Sequence, residues 1–113
     1  MKIIVHITQK TEWERALFAG TYQAPSLEKQ GFIHCSLPSQ VVGVANSNFR
    51  YEQDLVLLEI DTSILASPLK FEDLYNEGAE YPHLYGPLNI EAVKKVVSFA
   101  PNTEGYFELP ENF

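Results

Sequence analysis

The chain has 113 residues and a net charge of −7, with a pI of about 4.8. This length predicts one domain spanning residues 1–113. The acidic balance excludes a large nucleic-acid partner, because such partners need a basic face to neutralise phosphates. No apolar run reaches the roughly 18 residues that span a bilayer, so no membrane partner is expected. A lone cysteine, Cys35, is typical of a reducing, cytoplasmic setting.

The first half of the chain predicts short strands alternating with short helices. Residues 2–8 are apolar enough for a strand inside a sheet. Thr11 as N-cap and Glu14 have capping-box spacing, so they predict the start of a helix that Gly20 ends. A helical turn at 26–31 then leads into a strand at 32–36, and a third helix begins at Pro38 and Ser39 with an apolar face.

The second half is richer in strands. Residues 54–61 form an apolar run bounded by acids and predict the strongest strand. The alternation at 69–74 indicates a half-exposed strand, whereas 75–87 has the composition of an ordered loop. A helical turn and strand are expected over 90–100, and a last strand over 105–109. Together these elements predict an α+β fold with two or three short helices.

Two predicted strands share one pattern: an aliphatic residue, a histidine, an apolar residue and a hydroxyl. The copies are Val5-His6-Ile7-Thr8 and Ile33-His34-Cys35-Ser36. Alternate side chains of a strand share a face, so His6 lies with Thr8 and His34 with Ser36. Imidazole can donate, accept or move a proton near neutral pH, so the pairs form a candidate site. The alternative is that each is a half-buried polar residue satisfied by backbone groups.

Cys35 adjoins His34 but faces the opposite side of the strand. A cysteine–histidine nucleophile is therefore disfavoured, and a buried structural thiol is predicted. Three histidines could bind zinc, yet no H-x-H or H-E-x-x-H spacing supplies two ligands locally. A metal site would need all three to converge from separate elements, and none is predicted.

The third histidine, His83, lies in the segment Tyr81-Pro82-His83-Leu84-Tyr85-Gly86-Pro87. One interpretation is a lid whose aromatic faces stack on a flat ring while His83 or a backbone group caps the site. The other is a rigid loop that covers the core. The nearby acids are interpreted as a solvated face, and nothing in their spacing selects a catalytic carboxylate: Glu72, Asp73, Glu77 and Glu80.

Several of these motifs together resemble a small bacterial domain-of-unknown-function family placed with the ADP-ribosyltransferase-like superfamily. The resemblance rests on His-Ile-Thr at 6–8, the tryptophan helix, Gly-Phe-Ile-His-Cys-Ser at 31–36 and Pro-His-Leu-Tyr-Gly-Pro-Leu at 82–88. The order of these motifs is similar to RNA 2'-phosphotransferases and, more loosely, to poly-ADP-ribose polymerases. The resemblance implies split antiparallel or mixed β-sheets.

The resemblance also implies roles for individual residues. His6 matches the first-strand histidine that binds a ribose of NAD, and Thr8 the hydroxyl that follows it. His34 matches the second-strand histidine of the phosphotransferase branch, and the third position falls at His83, Leu84 or Tyr85. The chain departs from the phosphotransferase and polymerase pattern at Ile7, where those proteins usually have glycine.

Other departures concern the groups that would hold phosphates or complete catalysis. Phosphate-binding arginines have no evident counterpart besides Arg15 or Arg50. The basic RNA-binding lobe and an identifiable catalytic glutamate are absent from the sequence. Transfer from 2'-phosphorylated RNA is therefore not expected.

The leading hypothesis is a compact ADP-ribosyltransferase-like domain that binds NAD, its one expected cofactor, or a related small-molecule nucleotide in a histidine-lined cleft. Its candidate reaction is transfer or cleavage at the nicotinamide ribosyl bond. The candidate catalytic residues are His6, His34 and His83, and the candidate ligand-binding residues are His6, Thr8, His34, Ser36, Tyr81 and Tyr85. The alternatives are a non-enzymatic nucleotide or small-ligand binding module and, third, a three-histidine metal-binding protein.

Overall fold

The computed structural model describes residues 2–111 and 113. The helices are α1 Lys10–Ala19, α2 Pro25–Gln30 and α3 Val41–Asn48, with 3-10 turns at Thr62–Ile64 and Ile90–Ala92. The strands are β1 Ile3–Gln9, β2 Thr21–Tyr22, β3 Ile33–His34, β4 Leu55–Asp61, β5 Leu69–Glu72, β6 Tyr81–Leu84, β7 Leu88–Asn89 and β8 Val93–Phe99. All pairings between these strands are antiparallel, which confirms the predicted α+β class.

The strands form two three-stranded sheets and one two-stranded pair. The first sheet has the order β1-β4-β8, the second β3-β6-β5, and β2 pairs with β7. β1 is therefore an edge strand of the first sheet. Its outer edge meets the segment that follows β3, because Val5 and Ser36 form an isolated antiparallel bridge. The two tetrads of the sequence thus lie side by side.

The first sheet is covered on both faces, which explains the continuous apolar runs of β1 and β4. Ile4, Leu58 and neighbouring residues pack toward the second sheet in a cluster with Trp13 and Tyr22. The alternate residues of the same strands, including Val5, Ile7 and Leu57, pack on the other face against α3. His6 and Thr8 are the polar members of the first of these two faces, and both are buried.

The start of α1 differs from the prediction. The helix begins at Lys10, with Gln9 as its N-cap and without a side-chain cap. Thr11 lies inside the first turn, so the predicted capping box is wrong. β1 runs directly into the helix, and the Lys10 N–H donates to the Asp54 carbonyl at 2.8 Å instead. The end of the helix is confirmed at Gly20, whose φ of 87° is the left-handed conformation that glycine tolerates.

The predicted loop over 75–87 is wrong at its centre, because Tyr81–Leu84 forms the middle strand of the second sheet. Pro82 suggested a break, since proline cannot donate to a ladder. Its carbonyl nevertheless accepts from Cys35 N–H at 3.0 Å, and its side chain is fully buried. A central strand excludes the predicted lid over Tyr81–Tyr85.

The last predicted strand, 105–109, is also wrong. Phe107 is buried, and its ring lies 4.7 Å from that of Phe99. Asn46 holds the Phe107 backbone from α3: its Oδ1 accepts from the N–H at 2.7 Å, and its Nδ2 donates to the carbonyl at 3.4 Å. A side-chain amide thus replaces a neighbouring strand.

Among the described residues, no helix combines the length and apolar character needed to cross a lipid bilayer.

Candidate ligand-binding cleft

The candidate site lies where β1 and the 33–36 segment diverge. Val5 and Ser36 exchange two backbone hydrogen bonds, both 2.8 Å. Continued antiparallel pairing would place His34 opposite Ile7. Instead the His34 carbonyl accepts a hydrogen bond from His6 Nδ1 at 2.5 Å, and β3 pairs with β6. The two sheets therefore separate beyond Ser36 and leave a cleft between them.

This cleft has a volume of about 640 Å³, within the range of small-molecule sites. The ring centroids of His34 and His83 are 5.7 Å apart, and His6 donates a hydrogen bond to the backbone carbonyl of His34. The lining residues fall on the edge of β1, β2, the start of α2, α3, the second sheet and the loop after β5. Those that the sequence predicted are His6, His34, Ser36, Tyr81 and His83. The structure thus brings the three histidines together, whereas Thr8 and Tyr85 lie outside the lining.

His6 is fully hydrogen-bonded within the protein. Nδ1 faces a carbonyl oxygen, which only accepts, so this nitrogen carries the ring proton. Nε2 lies 2.8 Å from the Tyr22 hydroxyl. Burial lowers the pKa of His6 to about 4, so the ring is neutral at pH 7. Nε2 is therefore an acceptor, and Tyr22 donates to it.

Thr8 supports this arrangement rather than facing a ligand. Its hydroxyl is 2.9 Å from that of Tyr22. Because the single proton of Tyr22 is directed to His6, the Thr8 hydroxyl donates to the Tyr22 oxygen. Burial raises the pKa of Tyr22 to about 12, so the phenol stays protonated. No sequence motif marked Tyr22. It lies in a two-residue strand that is distant from both tetrads along the sequence, although it contacts the first of them in the structure.

His34 is the exposed histidine of the cleft. Its Nε2 donates to Gln30 Oε1 at 2.7 Å, and Gln30 Nε2 donates to the Tyr75 hydroxyl at 3.1 Å. The pKa of His34 is lowered by partial burial and by the neighbouring His83. The Gln30 bridge thus joins α2 to the loop after β5 at the exposed side of the cleft.

His83 is buried and paired with a carboxylate. Its Nδ1 lies 3.0 Å from Glu72 Oε1, which also accepts from the Tyr85 hydroxyl at 2.5 Å. These two bonds, that of Tyr85 first, lower the pKa of Glu72. The sequence did not separate Glu72 from its acidic neighbours. The strand register does separate it. His83 pairs with Lys70, so its side chain lies diagonal to that of Glu72 on the same face of the second sheet.

The cleft has an acidic lining. Glu72, Asp73 and Glu77 line it, and its lining contains no lysine or arginine. The two arginines considered as phosphate ligands lie elsewhere. Arg15 pairs with Glu12 at 3.2 Å on α1. Arg50 lies 3.8 Å from the ring centroid of Tyr106.

The remaining chemical candidates do not form a reactive centre. Cys35 is a buried free thiol, as predicted, and burial raises its pKa to about 12. Within residues 2–111 and 113, no three side chains of histidine, cysteine, aspartate or glutamate are placed to hold a metal ion. The arrangement therefore offers hydrogen bonding and proton transfer rather than thiol chemistry.

Fold and site together define a small α+β protein with a histidine-lined cleft between two antiparallel sheets. The chain belongs to the family described as Protein of unknown function (DUF952), whose model matches residues 7–96. Its fold is similar to the crystal structure of protein CC0527 from Caulobacter crescentus, with a TM-score of 0.87 and 31% identity over 96% of this chain and 95% of that one.

Two further structures of the same Caulobacter protein are also similar. The crystal structure of a double methionine mutant has a TM-score of 0.86 at 30% identity and covers 96% of this chain and 95% of that one. The solution NMR structure has a TM-score of 0.84 at 31% identity, over 100% of this chain and 97% of that one. No curated protein matches the chain.

Proposed function

We propose that the cleft binds NAD or a related nucleotide through its nicotinamide–ribose half. The observation that carries this proposal is the convergence of His6, His34 and His83 on one cleft of about 640 Å³. His6 and His34 lie where β1 and the 33–36 segment diverge, the positions that the ADP-ribosyltransferase resemblance implies for the NAD site. The proposed reaction is transfer or cleavage at the nicotinamide ribosyl bond.

The backbone of Ile7 supports a carboxamide in this cleft. Val5 directs its N–H and C=O outward to Ser36, and the antiparallel alternation directs those of Ile7 the same way. No backbone hydrogen bond joins Ile7 to the 33–36 segment. A primary carboxamide offers the complementary acceptor and donors. The Ile7 side chain packs in the core on the α3 face. Isoleucine in place of the glycine of the pattern therefore leaves the backbone edge of β1 open to the cleft.

The acidic lining supports the choice of the nicotinamide half. The oxidised nicotinamide ring is a cation, which Glu72, Asp73 and Glu77 attract, whereas a diphosphate inside the cleft would find no lysine or arginine. Tyr75 and Tyr81 also line the cleft, and phenol rings can stack on a flat heterocycle. The diphosphate and adenosine therefore extend toward solvent.

Isothermal titration calorimetry tests the proposal with NAD, nicotinamide riboside and ADP-ribose. We expect the first two to bind within about tenfold of each other. ADP-ribose, which lacks nicotinamide, should bind at least about tenfold more weakly, a difference of about 1.4 kcal/mol. Absence of binding of both NAD and nicotinamide riboside to folded protein would overturn the proposal.

Variants connect any binding to the cleft. His34→Ala removes an exposed imidazole and should weaken NAD binding by about tenfold, roughly the loss of one hydrogen bond. Phe18→Ser is the matched control, because Phe18 is 97% exposed on α1 and does not line the cleft. Release of nicotinamide from bound NAD would distinguish an enzyme from a binding module.

A further inference from the structure

His83 has one nitrogen engaged and one free. Because a carboxylate only accepts, Nδ1 carries the proton that is shared with Glu72, and in the neutral ring Nε2 is then the acceptor nitrogen. No hydrogen bond to Nε2 of His83 is present among the described residues. Every fully buried side-chain nitrogen of these residues has a hydrogen-bond partner, so Nε2 is not fully buried. Nε2 is therefore accessible, and the accessible side of His83 is the cleft that it lines. His6 differs, because both of its nitrogens are engaged.

The surroundings hold the His83 ring in this orientation. Tyr85 donates to the same Glu72 oxygen at 2.5 Å and so fixes the carboxylate. The ring of Phe32 packs 4.3 Å from that of His83 and 5.3 Å from that of Tyr85. A base oriented by a third group through its second nitrogen is the arrangement that activates hydroxyls in many enzymes.

We propose that His83 is a general base that takes a proton from water in the cleft, and that Glu72 is its positioning residue. The inference rests on the proposed function for the identity of the ligand. The water oxygen bonds to the anomeric carbon of the nicotinamide ribose while the carbon–nitrogen bond to nicotinamide breaks. The bonding pair goes to the pyridine nitrogen, which becomes neutral, and the water proton goes to His83 Nε2.

The products of this step are nicotinamide, ADP-ribose and one proton, which the imidazolium returns to solvent. No oxidant or metal is needed. Glu72 stabilises the imidazolium as it forms, because it lies next to the protonated ring as a carboxylate. The second hydrogen bond, from Tyr85, keeps this carboxylate in place.

The test measures nicotinamide and ADP-ribose formed from NAD by the full chain and its variants. Wild type should release both in a 1:1 ratio. His83→Ala should lower kcat by about 100-fold or more, the usual contribution of a general base, with little change in KM. Glu72→Gln should lower kcat by about tenfold or more. Glu91→Gln, at an exposed acid that does not line the cleft, is the matched control and should stay within about twofold.

A spectroscopic readout separates positioning from a merely structural role. Nitrogen-15 correlation spectra should show the Nδ1–H tautomer of His83 in wild type. Glu72→Gln should raise the Nε2–H population, because an amide can also donate to Nδ1. Since the side chain of Glu72 is 24% exposed, this variant is expected to fold even where His83→Ala does not.

The outcomes distinguish the two proposals. NAD binding without nicotinamide release by the wild type overturns the general-base proposal and leaves the binding proposal intact. Absence of NAD binding overturns both. Release that Glu72→Gln and His83→Ala leave unchanged overturns the assignment of the base.

Discussion

His6 Nδ1 donates to the His34 carbonyl at 2.5 Å, across the gap where β1 and the 33–36 segment diverge. In a continuous ladder that carbonyl would pair with the backbone of the facing strand. The imidazole takes its place, so the backbone of Ile7 faces the cleft instead. One buried side chain therefore both joins the two sheets and leaves a backbone edge of β1 open between them.

Tyr22→Phe tests the buried hydrogen-bond chain that supports His6. The change removes one hydroxyl and leaves His6 Nε2 and the Thr8 hydroxyl without their partner. We expect a loss of about 1–3 kcal/mol in the free energy of unfolding, the cost of unsatisfied buried groups. Urea denaturation measures it. Tyr51→Phe, at an exposed tyrosine, is the control and should change stability by less than about 0.5 kcal/mol.

Stability should fall with acid because of His6. Its pKa is about 4 in the folded protein against an ordinary value of 6.5, so between these values the unfolded chain binds a proton that the folded protein does not. The contribution is complete above pH 6.5 and is lost as the pH falls toward 4. The difference between the two pKa values corresponds to about 3 kcal/mol in the free energy of unfolding.

Comparison with His6→Gln isolates this contribution from the carboxylates, which titrate in both proteins. Denaturation at a series of pH values should show wild type more stable near neutrality, with the gap closing toward pH 4. A gap that stays constant over this range would contradict a neutral, buried His6. The pKa of His34 is depressed in the same direction, but its greater exposure makes its share smaller.

The sequence predicted those parts of the fold that depend on local pattern. β1, β4 and β8 are apolar segments whose strand character is visible without neighbours, and Gly20 and Gly31 end helices as expected. β6 was missed because a proline usually argues against a central strand. Pro82 removes only one backbone N–H, and whether the sheet needs that donor depends on the tertiary pairing of the strand. Phe107 was assigned to a strand because the side chain of Asn46, distant in the sequence, holds its backbone, and the local sequence gives no indication of that contact.

The site was predictable to the same extent. The matched tetrads predicted that His6 and His34 belong to one candidate site, and the structure brings both of them and His83 to the same cleft. Tyr22 and Glu72 were missed as residues of the candidate cleft. Their contacts join positions 16 and 11 residues apart, respectively, through sheet register and helix packing. Spacing rules along one element carry no information about such contacts.

Asn46→Ala tests the amide that replaces a strand partner for the C-terminal segment. Both backbone groups of Phe107 lose their bond to α3. We expect a loss of about 1–2 kcal/mol in stability. The Phe107 amide should also exchange with solvent at least about tenfold faster, which hydrogen-exchange NMR measures. Asn48→Ala in the exposed last turn of α3 is the control. Unchanged exchange at Phe107 would show that burial of its ring alone holds the segment.

Two glycines should respond in opposite directions to alanine. Gly86 has a φ of 153°, and a Cβ there would approach Ser67 Cβ to 2.8 Å. Gly86→Ala should therefore destabilise by about 2 kcal/mol or more, since it combines strain and a steric clash. Gly43 lies inside α3, and an added Cβ meets nothing within 4 Å. Gly43→Ala should stabilise by about 0.5–1 kcal/mol, because alanine has the higher helix propensity. Thermal unfolding of both variants checks the pair, and equal shifts would contradict the tight turn between β6 and β7.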